Sequence, residues 1–478
     1  MKKIISDIRR IRVIKPTLII LALLLVAVSF FLPVPSGMGE RGPTTIAIIV
    51  LAIILWITDI IPAAVTGMIT IFLFSAFDIL AFEQAAGNLG KEIIWLLIAT
   101  LMMGQAIEKT SIHKRIAYNM FLLAKGNLRL IILFMMLFGL SLTFFIPSVL
   151  GRMVLILPIC VGLLKSVELQ GIKGLGKIII PAMTFVPFIG SFGVITGGGG
   201  TLYAAQLFET MGKSWSYIEW LMMMGPVVLV IVVIFWIVII TFLFRDNRIR
   251  VDQEFLLKER SKAGELNQQE VKIMILYSLL LMLWITKSLH GFSLAMSAVF
   301  VASLLFLPGI RLLDWKESMT KIEWSVLFAF AAGFSIADAL EVSEITGWLS
   351  LTAEKYLGDT SALIVALILM ITLVLIRIGF LNYTMMVASF MPLVFTFAKI
   401  TSINPIWLGM ITLIGSSICF LFPMQTISGM TAFSLGHHTF QDHLKVGIIL
   451  TVITVVVTLL SAFYYWPLVG LEILKFKI

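Results

Sequence analysis

The sequence has little charge, little cysteine and few histidines. Charged residues make up 13% of its 478 residues, whereas 60% are hydrophobic. A chain with this balance cannot form a water-soluble globule. The two cysteines, Cys160 and Cys419, both lie in apolar segments, so a disulfide framework is not indicated. These shortages, together with long apolar runs, predict an all-α polytopic membrane protein.

Other absences exclude classes of function. There is no Gly-x-x-x-x-Gly-Lys-Ser/Thr motif, which excludes ATP-driven transport by this chain. No catalytic cluster lies within an apolar segment, so we predict neither an enzyme nor an enzymatic cofactor. No continuous polar stripe of the kind that lines a channel is evident. His437, His438 and His443 are spaced as metal ligands could be, but no carboxylate or cysteine completes a recognisable site, and we interpret them as loop residues.

Two apolar stretches are too long for one crossing and too short for two. Leu130–Leu164 and Ala362–Ala398 are apolar apart from polar residues near their centres and one arginine each, Arg152 and Arg377. A crossing needs roughly 20 apolar residues. Helix breaks at membrane depth are tolerated only where protein or water surrounds them. The pattern therefore predicts two re-entrant helical hairpins whose tips line a cavity.

Two further helices are predicted to be broken within the membrane. Four consecutive glycines cost about 1 kcal/mol each relative to alanine in a helix, which predicts an unwound segment at Thr196, Gly197, Gly198, Gly199, Gly200 and Thr201. The second break is predicted near Pro423–Gly429, where Gln425, Thr426 and Ser428 are expected to face a cavity or an ion.

The chain is predicted to contain an inverted repeat. Trp56-Ile57-Thr58 recurs as Trp284-Ile285-Thr286, and Pro158 recurs as Pro392, at the same separation from its hairpin tip. With about eleven membrane helices plus two hairpins, an odd number of crossings per unit inverts the second copy. We predict an N-terminal helix and outer loop at 1–43, a first repeat at 44–244, a cytoplasmic linker at 245–270, and a second repeat at 271–478.

The distribution of lysine and arginine sets the predicted orientation. These residues are concentrated in the segments that lie inside if the N-terminus is cytoplasmic, which places the C-terminus outside. The same rule explains the net charge of +9, so this charge does not indicate a nucleic-acid partner. The predicted location is the cell (inner) membrane.

Inverted repeats with hairpins and broken helices are typical of secondary transporters, which bind substrate near the bilayer midplane. An arginine at that depth costs several kcal/mol unless it is paired or hydrated, and it can bind a carboxylate through two hydrogen bonds. We hypothesise that Arg152 contributes positive potential to an anion site, with Ser148, Asn382, Thr384 and backbone N–H groups as donors. The alternative is structural, in which Arg152 binds carbonyls at a break. Arg377 poses the same question.

The chain resembles the divalent anion/sodium symporters, which carry dicarboxylates, citrate or sulfate. The resemblance covers nearly all of the sequence and is strongest at AIEKTSIHKRIAY, at the two hairpins and at HHTFQDHLKVG. Family tips carry Ser-Asn-Thr, which corresponds here to Ser148, Val149 and Leu150, and to Asn382, Tyr383 and Thr384. The resemblance implies that these residues bind the substrate anion, and that the protein is a homodimer.

The missing asparagines leave the coupling open. In sodium-coupled relatives the tip asparagines help to form sodium sites, and neither tip here has the full motif. Arg152 matches an arginine of a branch that is similar in exchanging one anion for another. The resemblance therefore implies a small-anion transporter that is either an ion-coupled symporter, with sodium as the ion, or an anion exchanger. The alternative is a sodium/proton antiporter or arsenite-type permease of a related family.

Overall fold

The structure is a computed structural model, and it describes residues 17–169, 174–243, 250–345, 347–348 and 361–474, except residues 18, 22 and 263. The described chain is helical. The helices of the first half are α1 (Ile19–Ser29), α2 (Gly42–Thr58), α3 (Ala63–Ala76), α4 (Phe82–Gly87), α5 (Glu92–Glu108), α6 (Ile112–Leu123), α7 (Leu128–Ser141), α8 (Val149–Leu169), α9 (Gly176–Gly193), α10 (Gly199–Thr210) and α11 (Tyr217–Val238).

The second half continues in the same way. Its helices are α12 (Gln253–Ser261), α13 (Gln268–Ile285), α14 (Lys287–His290), α15 (Leu294–Leu304), α16 (Trp315–Thr320), α17 (Trp324–Val342), α18 (Ala362–Ile376), α19 (Tyr383–Ile400), α20 (Pro405–Ser417), α21 (Ile427–Ser434), α22 (Phe440–Leu460) and α23 (Trp466–Leu468).

Seven helices of the described residues are long and apolar enough to cross a membrane by length and composition. Shorter apolar helices accompany them, among them α7 and α18, with 14 and 15 residues. These two are below the roughly 20 residues that a crossing needs. The predicted class of polytopic all-α membrane protein is confirmed, while eleven crossings and re-entrant hairpins stay predictions.

The chain divides into two compact units. One consists of residues 1–94, 323–412 and 472–478. Its core includes a close approach of α3 to α17, because a Cβ at Gly67 would lie 2.6 Å from the carbonyl oxygen of Phe328. A buried polar contact supports the same region: the Asn88 amide donates to Ser335 Oγ and to Asp338 Oδ2, both at 3.1 Å.

The other unit consists of residues 95–322 and 413–471. It contains α7, α8, the helices α9 and α10 on either side of the first predicted break, and the second predicted break with α21. The α9 helix packs against α7, α8, α11 and α22, and the Trp220 indole of α11 donates to the carbonyl oxygen of Phe192 at 3.1 Å. Because so many helices pack on α9, it is the centre of this unit.

A local arrangement recurs at the repeated tryptophans. Trp56 Nε1 donates to the carbonyl oxygen of Ala63, the first residue of α3, at 3.4 Å. Trp284 Nε1 donates to the carbonyl oxygen of Leu294, the first residue of α15, at 3.0 Å. The sequence match therefore corresponds to the same local arrangement used twice, while the inverted repeat itself stays a prediction.

The segment predicted as a polar linker, 245–270, contains a helix among its described residues. Asp252 caps the N-terminus of α12, and Leu256 on that helix is fully buried. The Val251 N–H donates to the carbonyl oxygen of Gly126 at 2.8 Å, so the linker is fastened beside α6. The three apolar side chains of this charged nine-residue helix, Phe255, Leu256 and Leu257, are consecutive and give no helical periodicity, which explains why the sequence did not predict it.

Arg115 of α6 holds the end of this linker. Its guanidinium donates to the carbonyl oxygen of Gly264 at 2.9 Å and to Glu270 Oε2 at 3.3 Å, and the Glu270 side chain is only 1% exposed. Burial and nearby Lys114 lower the pKa of neighbouring His113 to about 4, so His113 is neutral at physiological pH and adds no competing charge.

We expect Arg115→Ala to destabilise the protein by about 2 kcal/mol, because a buried carboxylate that loses its partner carries a desolvation cost. Thermal unfolding in detergent, followed by size-exclusion chromatography, measures this effect. Lys114→Ala, at the exposed neighbouring position, is the matched control and should leave the unfolding midpoint nearly unchanged. Equal midpoints for the two variants would contradict the assignment.

Candidate functional site

The first predicted hairpin is a helical hairpin in the structure. After α7 the chain makes a 3-10 turn at Leu142–Phe144, leaves helical geometry at Phe145–Ser148, and resumes as α8. Thr143 and Arg152 are in contact across this break. Farther along the arms, a Cβ at Gly139 would lie 3.4 Å from Ile156 Cδ1. Both pairs are centred between Pro147 and Ser148, so the arms fold back on each other.

Arg152 joins this hairpin to the first broken helix. It is fully buried. Its Nη1 donates to Thr143 Oγ1 at 2.5 Å, and its Nη2 donates to Ser191 Oγ and to the carbonyl oxygen of Gly197, both at 2.8 Å. Hydrogen bonds that involve an ionised donor are roughly twice as strong as neutral ones. The Arg152 side chain therefore holds together the hairpin near its tip, the C-terminal end of α9 and the break that follows α9.

The chain leaves helical geometry around the first predicted break, over a shorter range, and the functional role of these residues stays a prediction. The chain is non-helical at Val194–Gly198, whereas Gly199, Gly200 and Thr201 already form the first turn of α10. The reason is that the first turn of a helix leaves its N–H groups without intrahelical partners, so glycine costs less there than in a helix interior. Thr201 Oγ1 spans the break by donating to the carbonyl oxygen of Ser191 at 2.7 Å.

Glycine is required at two positions around Arg152. A Cβ at Gly190 would lie 2.4 Å from Thr143 Oγ1, and a Cβ at Gly197 would lie 2.5 Å from the carbonyl oxygen of Ser191. Carbon atoms do not approach oxygen this closely without displacement. The glycine pattern therefore permits the close packing that surrounds the guanidinium.

A small cavity adjoins this junction within the same unit. The Tyr277 hydroxyl, at its wall, donates to the carbonyl oxygen of Phe145 at the hairpin tip at 2.6 Å. The cavity has room for about one water molecule. It is lined by Thr100, Met103, Thr143, Phe144, Phe145, Pro147, Thr196, Tyr277, Leu280 and Trp284.

The second predicted break is also present. The chain is non-helical at Ile418–Phe422, makes a 3-10 turn at Pro423–Gln425, and continues as α21. Thr426 caps α21 by accepting the Gly429 N–H at 2.9 Å, and Ser428 Oγ donates to Thr426 Oγ1 at 3.3 Å.

Gln425 has an available donor. Its Oε1 accepts the Phe422 N–H at 2.8 Å. Its Nε2 is buried and has no hydrogen-bond partner among the described residues. Because α21 packs against α8 and α9, this unit brings together the first hairpin, the first break and the second break, three elements that the sequence predicted separately.

The second predicted hairpin region lies in the other unit. Its helices α18 and α19 are separated at Arg377–Asn382, as predicted. Arg377 is fully buried and its Nη1 donates to the carbonyl oxygen of Phe380. Asn382 caps α19 by accepting the Thr384 N–H at 2.8 Å, and the Tyr383 side chain is buried.

Some site residues could not be read from the sequence, and two predicted ones are only partly covered. Thr143, Ser191 and Tyr277 contribute to the junction, although each lies in a largely apolar segment that gives no sign of such a role. Val149 is half-buried and Leu150 is 40% exposed. Both side chains are apolar, so the only hydrogen-bond donors of these two residues are their backbone N–H groups at the start of α8.

Comparison with known proteins agrees with this architecture. The family described as the sodium:sulfate symporter transmembrane region matches residues 14–472. The sodium-dependent dicarboxylate transporter SdcS of Staphylococcus saprophyticus is 23% identical over 483 residues, covering 95% of this chain and 92% of the relative. SdcS of Staphylococcus aureus is 24% identical over 467 residues, covering 92% and 89%.

Two further comparisons are less specific. A membrane protein of Cupriavidus necator is 24% identical over 461 residues, covering 92% of this chain and 90% of its own length. The solved structure of Neisseria gonorrhoeae MtrF has a TM-score of 0.53 at 13% identity and covers 97% of this chain and 96% of MtrF. At this identity the likeness to MtrF concerns the fold alone.

The family match spans nearly the whole described chain, and its members and the dicarboxylate relatives are transporters, not enzymes. This chain therefore belongs to the sodium:sulfate symporter family of divalent anion transporters, and it is an integral membrane protein that carries out secondary active transport of anions.

Proposed function

We propose that this protein transports small dicarboxylates, with tricarboxylates and sulfate as weaker substrates, by alternating access. The observation that carries the proposal is the buried Arg152, which joins the hairpin tip region to the break at Gly197 beside a cavity. The names of the staphylococcal relatives support a dicarboxylate as the substrate.

Arg152 is assigned the role of a positioning residue with a field effect. Its guanidinium lies behind the hairpin tip and donates to Thr143, Ser191 and Gly197, so its positive charge attracts an anion at the tip without leaving those bonds. A charge held in a membrane protein interior acts over a longer range than one in water. The anion binds where the positive potential of Arg152 and the local hydrogen-bond donors coincide.

The proposed direct donors are at the ends of half-helices. The N-terminus of α8 presents the N–H groups of Val149 and Leu150, with Ser148 at the cap, where its Oγ accepts the Gly151 N–H at 3.3 Å. A helix N-terminus is an anion-binding site because its dipole and its N–H groups point outward. Gln425 Nε2 is the proposed side-chain donor from the second break.

We propose analogous roles within the second hairpin. Arg377, which precedes its tip whereas Arg152 follows its own, is the proposed positioning charge, and the residues at the start of α19, Asn382, Tyr383 and Thr384, are the proposed anion donors. Buried Arg377 and the cap by Asn382 support this assignment. Thr426 and Ser428 are proposed to hold the second break in its unwound form.

The cavity beside the first hairpin is smaller than a dicarboxylate, so we propose that binding and release require the hairpin and the breaks to open. Transporters built from inverted repeats change the exposure of one fixed site by moving one group of helices against another. We propose a cytoplasmic N-terminus, an outside C-terminus and a bacterial-type inner membrane, because lysine and arginine favour the inner side. A homodimer is proposed from the family resemblance.

For coupling, we propose that the protein exchanges one anion for another and does not depend on sodium. The carbonyl and hydroxyl oxygens that Arg152 occupies are the ligand types a hard cation takes, and the guanidinium already supplies a positive charge there. The relatives named sodium-dependent make sodium symport the competing outcome. The two modes make opposite predictions for transport without sodium.

Uptake into proteoliposomes distinguishes them. Labelled succinate, malate, citrate and sulfate are supplied outside, in sodium or potassium buffer, to vesicles that are empty or preloaded with unlabelled succinate. We expect preloading to raise the initial rate of succinate uptake about tenfold or more, and replacement of sodium by potassium to change it less than about twofold. Uptake that needs a sodium gradient would contradict exchange, and uptake of none of the four anions would favour an antiporter or arsenite-type permease.

A further inference from the structure

Two buried histidines stack on each other away from the proposed anion site. The rings of His438 and His443 are nearly parallel, and His438 Nε2 lies 3.3 Å from His443 Nδ1. The two residues are 6% and 1% exposed. His438 Nδ1 and His443 Nε2 are buried and have no hydrogen-bond partner among the described residues. The sequence interpretation of solvated loop residues is therefore wrong for this pair.

The pair contacts the helix that follows the second break and reaches the break itself through one aromatic ring. The His438 ring lies edge-on to Phe433 of α21, with centroids 5.3 Å apart. The His443 ring lies edge-on to Phe185 at 5.0 Å, and Phe185 in turn contacts Phe420, within the break, at 5.1 Å. A change in the position of the histidine rings therefore affects the segment that carries Gln425 and Thr426.

The room around this contact is limited. A Cβ at Gly447, on the helix of His443, would lie 1.9 Å from the carbonyl oxygen of Phe420. A Cβ at Gly176 would lie 2.9 Å from His437 Cβ. Helices packed this closely cannot accommodate an added water shell without moving apart.

Proton counting shows what charging the pair does. Two neutral imidazoles carry two protons on four nitrogens, and one N–H can donate to the facing nitrogen. A third proton gives both outward nitrogens an N–H with no acceptor in the described surroundings, and it places a positive charge among phenylalanine rings. A fourth proton turns the N–H···N contact into two opposed N–H groups. Each step favours a state in which the rings reach water.

The charged groups around the pair do not neutralise this charge. Asp442 faces His438, but it caps α22 through Thr439 and also interacts with Lys177 at the start of α9. His437 adds a like charge when protonated. Burial is the larger influence, and it lowers the pKa of His438 from its usual value despite Asp442. The pair is therefore neutral near pH 7, and His438 takes up a proton only in solutions more acidic than the usual pKa of histidine.

We propose that the His438–His443 pair is a proton-sensitive switch that loosens the second break and slows transport when the solution on its side of the membrane becomes acidic. The effect on transport rests on the proposed function of this break, whereas the loosening itself does not. For this reason the test has one readout of each kind.

The structural readout is hydrogen exchange of the wild-type protein in detergent or nanodiscs at about pH 7.5 and about pH 5, which is well below the usual pKa of histidine. After correction for the intrinsic pH dependence of exchange, we expect amides of residues 418–434 to lose protection at the lower pH by about fivefold or more. Unchanged protection in this segment would overturn the switch, whatever the substrate of the transporter proves to be.

The transport readout compares variants under the same two conditions. We expect the initial rate of succinate exchange to fall about threefold or more in the wild type at the lower pH, and less than about 1.5-fold in His438→Gln and His443→Gln, which cannot titrate. His290→Gln, a histidine of a different helix, is the matched control and should keep the wild-type response. Because succinate has the same ionisation for every variant at a given pH, an equal response in the glutamine variants would overturn the link to transport.

Discussion

Arg152→Gln should lower the initial rate of anion transport by about 100-fold, which corresponds to about 2.7 kcal/mol. The substitution removes a buried cation whose hydrogen bonds to Thr143, Ser191 and Gly197 are 2.5 to 2.8 Å long. A hydrogen bond to a charged group contributes roughly 1.5–3 kcal/mol. Loss of even two of the three, with partial replacement by the glutamine amide, accounts for the expected effect.

The measurement is exchange of labelled succinate in proteoliposomes that contain equal amounts of folded protein, as judged by size-exclusion chromatography. Arg260→Gln removes an arginine from an exposed position on α12 and is the matched control. Arg152→Lys keeps the charge but not the forked geometry, and we expect an intermediate rate. A rate for Arg152→Gln within about twofold of the control would remove Arg152 from the transport mechanism.

Gly197→Ala should abolish measurable transport and lower the free energy of unfolding by about 2 kcal/mol, the usual range for an overpacked interior. The new Cβ would lie 2.5 Å from the carbonyl oxygen of Ser191, 2.8 Å from Thr143 Cγ2 and 2.9 Å from the carbonyl oxygen of Val194. Two of these neighbours are backbone atoms, which cannot rotate away. The break must therefore change shape, and the carbonyl that accepts from Arg152 moves with it.

The matched control is Gly162→Ala, on α8. A Cβ there would meet only the Tyr118 hydroxyl, at 4.0 Å, and alanine is the better helix former by about 1 kcal/mol. Its transport rate and its unfolding midpoint should equal or exceed those of the wild type. Gly197→Ala protein with wild-type transport would show that the geometry of the first break is not required.

The breaks and hairpin tips could be predicted because they are local features. Proline and glycine at Ile146–Arg152 and glycine at Thr196–Thr201 lower the stability of a continuous helix there, and an apolar stretch of this length needs an interruption. The fold class followed from composition and from these patterns, whereas the family came from the resemblance of particular segments to known symporters.

The partners of Arg152 could not be predicted in the same way. Ser191 and Gly197 lie 39 and 45 residues farther along the chain, and a single serine in an apolar helix carries no sign of what it binds. The same applies to Tyr277, which reaches Phe145 from 132 residues away. Such contacts depend on how the helices pack, and a single sequence indicates only which face of each helix is apolar.

For the histidine pair, the sequence suggested exposed side chains where the structure shows buried ones. His438 follows a glycine and precedes a capped helix, and His443 lies in the first turn of that helix. A short polar segment after a glycine is typical of a solvated loop. The packing of α21, α9 and α22 around the pair buries both rings. A loop position is therefore a poor guide to exposure where several broken helices end together.

The most direct test of the account is a cryo-electron microscopy map of the protein in lipid nanodiscs with saturating succinate. The account predicts density for one anion at the N-terminus of α8, within hydrogen-bonding distance of the Ser148–Leu150 backbone, with Arg152 still bound to the carbonyl of Gly197. An anion bound elsewhere, with the first hairpin closed as in the present structure, would contradict it.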